Sequence, residues 1–311
     1  MPDISVVHVD LALTEVLIAY KNNQYVADEL FPVIPVNKQS NKYFIYSKDR
    51  FRVVDDARRP GARANEFEWN LSTDTYYTEG HALAQAIPDE LRANADPALD
   101  IDVDTTEQLI DSIYLQRELL AARKATDTTV ITQYADLSQG VQWSDYQNSN
   151  PVKTVEDQKA TIQKQIAKEP NSLLLSKPVF LALRNHPAII DRFKYTQVGI
   201  LQPEHLKAVF NVENLFIADT IKNVSPEGAT DSLDYVWGKH ALLFYRPDGM
   251  GRRTVSLGGQ FRWLFGANTQ GYLVKRYRVE ERTADVVECQ LYYDLKIIAA
   301  PAAYLFLNAV A

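Results

Sequence analysis

Cysteine is almost missing from this chain of 311 residues: Cys289 is the only one. That excludes an internal disulfide framework and any cysteine-cluster metal site, and it leaves Cys289 as an expected core residue. Long apolar runs are missing too. No stretch of about 18 apolar residues occurs, and the N-terminal MPDISVVHVDLALTE carries acids where a signal peptide needs a basic region, so a soluble, unexported chain without a membrane partner is expected. The five histidines, His8, His81, His186, His205 and His240, stand singly, with no H-E-x-x-H and no pair at ligand spacing, which argues against a metal centre. Neither G-x-S-x-G, nor a Walker A loop, nor G-x-G-x-x-G is present; Gly249, Gly251, Gly258 and Gly259 lie in turns without a strand-to-helix context. Asp100, Asp102 and Asp104 would share one face of a strand as a passable cation site, though a solvated lead-in to a helix is the plainer reading. No catalytic residue and no cofactor are expected. Basic charge is also in short supply, and a net charge of −7 argues against a dedicated nucleic-acid binder.

What is present is ample core material, 46% hydrophobic with 11% aromatic, and one dominant helical pattern over residues 104–124. Asp104 with Glu107 and Thr105 with Gln108 both have capping-box spacing, while Arg123 and Lys124 complement the helix dipole at the far end. Such a helix is about 30 Å long. Leu109, Ile113 and Leu120 share one face and Leu115 and Leu119 lie nearly opposite, so a second layer of the chain or a neighbouring subunit is expected on that side. Charge is unevenly placed. Residues 42–63 hold seven basic side chains and three acids, a net of +4, whereas residues 81–118 hold nine acids and two arginines, a net of −7.

Around the helix, residues 1–40 carry Pro32 and Pro35 spaced to hold an extended chain, and read as an arm outside the core, whose removal through residue 35 would leave the rest folded. Strands at 43–46 and 67–71 flank VVDDARRPGARAN, a hairpin whose tip holds Arg58, Arg59, Pro60, Gly61 and Arg63 as a charged finger. Residues 151–249 alternate helices and strands: a helix opened by Thr154 and Asp157, a strand at 173–175, a helix capped by Ser176 with Pro178 in its first turn, helices near 187–193 and 203–210, and strands at 215–218 and 242–245. Residues 250–311 read as strands at 271–279, 286–294 and 304–307, with the long helix as the surface they pack on.

This succession resembles the major capsid proteins of tailed bacteriophages, whose fold is shared with encapsulins. ELFPVIPVNKQSNKYFIY, RRPGARANEFEWNLSTDTYYTEG, IPDELRANADPALDIDVDTTE, LALRNHPAIIDRFKYTQVGI and YYDLKIIAAPAAYLF are similar to stretches of one large phage capsid family, and together they cover most of the chain. The resemblance implies an α+β fold with an N-terminal arm (1–40), an extended β-hairpin loop (41–80), a peripheral domain (81–150, with the β-sheet return 250–311) and an inserted α/β axial domain (151–249). It implies a non-enzymatic protein that self-assembles into hexamers and pentamers of an icosahedral head around double-stranded DNA. Implied partners are further copies of the chain, a portal, and a separate scaffolding or a decoration protein; with the arm starting almost at Met1, either a separate scaffold or none is expected. The location implied is the virion, assembled in the host cytoplasm. On that geometry Arg58, Arg59 and Arg63 would meet Asp89, Glu90, Asp96, Asp100 and Asp102 of a neighbour, with Leu115 and Leu119 as further inter-subunit contacts. Two alternatives remain open: an encapsulin shell, and an α/β enzyme with His186, Asp191 or His240 in a pocket of the 151–249 region.

Overall fold

A computed structural model describes residues 8–9, 25–46, 51–61, 63–64, 66, 68, 70–94, 100–193, 201–226, 228–249, 255–265 and 272–311. In chain order the elements used below are β1 (His8–Val9), α1 (Ala27–Leu30), β2 (Val33–Val36), β3 (Ser40–Tyr46), β4 (Leu71–Tyr77), β5 (Glu79–Pro88), α2 (Asp89–Ala93), α3 (Ile101–Ala125) and β6 (Tyr134–Asp136). They continue with α4 (Pro151–Ile166), β7 (Ser172–Ser176), α5 (Lys177–Arg184), α6 (Pro187–Phe193), α7 (Pro203–Val209), β8 (Asn214–Ala218), β9 (Ile221–Asn223), β10 (Leu233–Tyr235), β11 (Ala241–Phe244), β12 (Gly258–Trp263), β13 (Tyr272–Val279), β14 (Ala284–Ile297) and β15 (Ala303–Leu307).

The long helix α3 starts one turn before the expected Asp104. Asp100 is an equally good cap and its carboxylate takes the N–H of Val103 at 3.3 Å, so the helix begins at Ile101 and reaches 25 residues, about 37 Å at 1.5 Å per residue. Asp100, Asp102 and Asp104 therefore wind around a helix and do not line one strand face, which removes the cation-site reading. Leu109, Ile110, Ile113, Tyr114 and Ala121 are buried, while Leu115 and Leu119 are half-buried against the same core. Leu119 lines a small cavity with Val236 and His240, so the second apolar stripe meets another layer of its own chain.

One sheet runs β1-β13-β14-β12-β2, with β5 paired along β14 from Glu79↔Tyr293 to Pro88↔Ala284. The expected strands at 271–279 and 286–294 are β13 and β14, and Cys289 is buried among them. Residues 25–36, expected to lie in the arm, belong to the core. Ala27, Leu30 and Phe31 are buried, β2 pairs in parallel with β12, and Phe31 sits over Gly258, where a Cβ would stand 2.6 Å from its ring. The two prolines suit this edge strand, because an edge residue needs no N–H on its outer side. Removal through residue 35 would thus remove core, against the expectation of a separable arm.

The second sheet runs β6-β15-β11-β7-β8, and β7 and β8 are parallel, joined through α5, α6 and α7. Residues 303–307, expected in the return sheet, pair instead with β11 and β6, which buries Phe306 against Trp143. Helix α4 opens at Asn150, whose side chain accepts the Lys153 N–H at 3.2 Å with Pro151 in the first turn, four residues before the expected Thr154. Ser176 precedes α5 without capping it through its side chain; its backbone N–H donates to His240 O, and its hydroxyl is buried on the strand face. Both sheets share the core of α3, since Leu174, Leu242 and Leu305 of one and Val274, Val287 and Leu291 of the other pack in a single cluster with it.

Candidate assembly surface

The hairpin β3–β4 is held hard at its root. Tyr43 donates to Asp74 Oδ2 at 2.7 Å, the Tyr76 ring stacks on Phe261 at 4.5 Å and 7°, and Thr78 donates both its N–H and its hydroxyl to Gln39 O at 2.9 and 3.0 Å. The Tyr77 N–H reaches Asp294 Oδ2 at 3.1 Å, which ties the root to β14. Burial and the bond to ionised Asp74 push the Tyr43 hydroxyl well above its usual range, and the same bond holds Asp74 below its own. Beyond the root the register runs to Tyr46↔Leu71, and Glu66, Glu68 and Asn70 lie outside any strand, so β4 does not start at 67 as expected. Phe67 and Trp69 lie outside the described residues, as does Asp96.

Residues 51–61 are all exposed, and so are Arg63 and the apolar Phe44 and Leu71; Val53 is 97% exposed and Phe51 60%. Single exposed apolar side chains are ordinary, but a root fixed by aromatic stacking that carries a row of them outward is a surface built to be covered.

The acidic segment is partly spent within its own chain. Asp89 takes both terminal nitrogens of Arg278 at 2.6 Å, and Asp102 pairs with Arg92 at 2.7 Å and Arg276 at 3.5 Å. Asp285, between Arg92 and Arg276 at 2.5 and 3.0 Å, is held down to about 2 by those hydrogen bonds. Glu118 is buried and accepts backbone and indole N–H groups. The outward charge left is Glu90, exposed on α2, and a stripe at Asp100, Asp104 and Glu107, continued by Asp111, which the Tyr25 hydroxyl engages; the i, i+4, i+7, i+11 spacing sets the four on one side of α3. The sequence reading missed Asp104, Glu107 and Asp111 as a stripe, although their spacing is visible in it. Leu115 continues the line into a cavity of about 350 Å³ shared with Tyr25, Ile221 and Tyr235, and Tyr25 donates to Asp111 Oδ1 at 2.6 Å.

The three residues of the enzyme alternative are not brought together as a catalytic set. His186 Nδ1 accepts the Ala188 N–H at 3.1 Å, so the neutral ring carries its proton on Nε2 and gives it to Ser149 Oγ at 2.8 Å, which leaves no base facing that hydroxyl. Burial lowers the pKa of His186 and of His240, whose Nδ1 takes the Asn308 N–H at 3.1 Å, while Asp191 is exposed on α6. Among the described residues no group of three or more His, Cys, Asp or Glu side chains could hold a metal ion, and no helix is long and apolar enough to cross a membrane.

No protein-family model matches the chain. It is 26% identical over 310 residues to the major capsid protein of Burkholderia phage BcepMu, covering 96% of this chain and 95% of that one. To the major capsid protein of Pseudomonas phage JBD67 it is 29% identical over 261 residues, 81% of this chain and 83% of that one. Among solved structures, a phage-related protein from Bordetella bronchiseptica superposes with a TM-score of 0.76 at 26% identity, with 97% of each chain covered. The capsid of cyanophage P-SCSP1u, at 8% identity and a TM-score of 0.61, covers 93% of this chain and 89% of its own. The encapsulin of Synechococcus elongatus, at 14% identity and 0.50 with 96% and 95% covered, shares the fold at a greater distance. Over most of its length the chain is thus similar in sequence to the major capsid proteins of phages, and it shares its fold with phage capsids and an encapsulin.

Proposed function

We propose that this chain is the structural subunit of an icosahedral phage head, self-assembling through repeated heterologous contacts into hexamers and pentamers that close around double-stranded DNA. The observation that carries the reading is the rooted, outward hairpin with its uncovered apolar side chains, on a fold whose curated relatives are major capsid proteins. The ring nitrogens of His186 and His240 that take backbone N–H groups support a role without catalysis.

Within that role 41–80 form the extended loop, 81–150 with most of 250–311 the peripheral domain and 151–249, completed by β6 and β15, the axial domain. Assembly takes place in the host cytoplasm with a portal, and with a separate scaffold or a decoration protein where one is used; the DNA is held without sequence specificity. Sedimentation of the purified chain across a salt series tests the reading: capsomers and larger particles are expected, and a monomer with enzymatic turnover would point to the α/β enzyme. Copurifying protein cargo in place of packaged DNA would favour the encapsulin shell, which the phage identity of the curated relatives disfavours.

A further inference from the structure

Three of the five histidines lie in the half of the chain built on the second sheet, and all three use the same ring atom in the same way. His186 stands just before α6, and its Nδ1 takes the N–H of Ala188, the second residue of that helix, at 3.1 Å. His205 is the third residue of α7. Its Nδ1 takes the N–H of Gln202 at 2.9 Å while the Gln202 side chain takes the N–H of His205, a closed capping box. His240 stands just before β11, and its Nδ1 takes the N–H of Asn308 at 3.1 Å, where the chain leaves β15 in a left-handed conformation at φ 48°. A ring nitrogen accepts only while it carries no proton, so each of these bonds exists only on a neutral imidazole. Other helix starts do not share the condition. Helix α3 opens on the Asp100 carboxylate and α4 on the Asn150 amide, which go on accepting where a histidine is charged. His81, in the first sheet, stacks on Tyr293 at 4.2 Å and takes no backbone N–H among the described residues.

We infer that the second-sheet half of this chain carries an acid-sensitive latch: proton uptake at His186, His205 and His240 withdraws the acceptors that fix the starts of α6 and α7 and the exit from β15, and loosens this half while the first sheet keeps its bonds. The latch belongs to the single chain and stands whether or not copies assemble.

The surroundings of each ring set how readily it charges. His186 is buried; its Nε2–H goes to Ser149 Oγ at 2.8 Å, and the Ser149 hydroxyl goes on to Asp145 O. The Asp145 carboxylate is turned to the Asn148 amide at 2.9 Å, and Tyr146 meets the His186 ring edge-on at 5.4 Å. Burial alone acts on this ring and lowers its pKa. His205 meets the Phe193 ring of α6 at 5.4 Å, with Glu204 and Lys207 as the charged residues of its own helix. His240 shares a cavity of about 240 Å³ with Arg123, Lys222 and Asp234. Burial lowers its pKa, and Asp136, bonded to the Asn308 amide at 3.1 Å, opposes the fall. The sign follows: the bonds of His186 and His240 contribute in full above the unfolded histidine value of about 6.5 and are lost as pH falls below it through the folded values.

Hydrogen exchange of the full chain, read by mass spectrometry at about pH 7.5 and about pH 5.5 and corrected for the intrinsic rate, tests the latch. Opened rings take up protons below about 6.5, so openings that expose Ala188 and Asn308 should become about tenfold more frequent over this interval. Protection at Gln202 should fall with them, while protection across β13 and β14 should change less than about twofold. His186→Asn with His205→Asn and His240→Asn keeps an acceptor at each place, since the Asn oxygen and His Nδ1 are both bonded to Cγ, and removes the titration. That variant should lose the acid effect. Equal protection at the two pH values in the wild type, or an equal fall across the first sheet, would overturn the inference. So would an acid effect that survives in the variant, as one driven by Glu118, whose pKa burial raises, would do. Should the triple variant not fold, His205→Asn alone decides at Gln202, because that ring is only half-buried. Loss of the acid effect there supports the latch and its persistence overturns it.

Discussion

Glu118 Oε2 accepts the backbone N–H of Ala27 at 2.9 Å, joining the middle of α3 to the start of α1 across ninety-one positions of sequence. Its other oxygen takes the N–H of Val26 at 3.2 Å and the indole N–H of Trp237 at 2.6 Å, so one buried carboxylate satisfies three donors from two distant segments. Burial raises its pKa, and these three bonds oppose the rise. Glu118→Ala strands all three donors, each worth about 1–3 kcal/mol when left unmade, so a loss of at least about 3 kcal/mol is expected. The midpoint of urea unfolding reads it; an unchanged midpoint would show that water replaces the carboxylate at no cost.

The same bond divides the N-terminal segment. Deleting residues 1–24 should leave a chain with the native circular dichroism spectrum and a cooperative melt. Deleting residues 1–36 removes Leu30, Phe31 and the β2 strand along β12, and Phe→Ala alone in a core costs about 3–5 kcal/mol, so the longer deletion should not fold. Equal melting temperatures for the two truncations would contradict the core role of residues 25–36.

How far the sequence reveals this is itself a matter of physics. The 3.6-residue period of Leu109, Ile113 and Leu120 marks α3 plainly, but Asp100 and Asp104 are equivalent as caps and only the fold chooses between them. The β7 and β11 strands are fully buried, and their leucine runs announce them. β5 is invisible because Ala82 and Ala84 on one face and Leu83 and Gln85 on the other are all exposed, which erases any alternation. Proline spacing at Pro32 and Pro35 reports an extended chain and says nothing of whether a strand lies beside it. The charge sums identify two opposed segments. They do not show that Arg278, one hundred and eighty-nine positions from Asp89, has already neutralised part of one.

Asp285 gives a pH dependence of definite sign. Its folded pKa is depressed to about 2 by Arg92 and Arg276, so its stabilising contribution is complete above the unfolded carboxylate value of about 3.9 and is lost as pH falls toward 2. Thermal melts of the wild type should therefore fall across that window more steeply than those of Asp285→Asn, which lacks the contribution at every pH. Parallel curves would mean that the arginines do not depress this group.

Charge reversal separates folding from assembly. Arg58→Glu, Arg59→Glu and Arg63→Glu together should leave the circular dichroism spectrum unchanged, since all three side chains are exposed, while abolishing closed particles in negative-stain images. Asp104→Lys with Glu107→Lys, which leaves the Asp100 cap of α3 in place, should do the same, and combining the two sets should restore particles. Salt should weaken early assemblies more than finished ones, because exposed pairs are screened over about 10 Å at 0.1 M. Normal particles from the arginine triple variant would make the tip a solvated loop, with apolar contacts alone setting the register.

Cryo-electron microscopy of the purified full-length chain tests the central claim most directly. The account predicts closed particles in which this one chain forms both sixfold and fivefold capsomers, with the β3–β4 hairpin of each copy lying on its neighbour. A field of monodisperse monomers, or of assemblies in which the hairpin contacts no second copy, would contradict it.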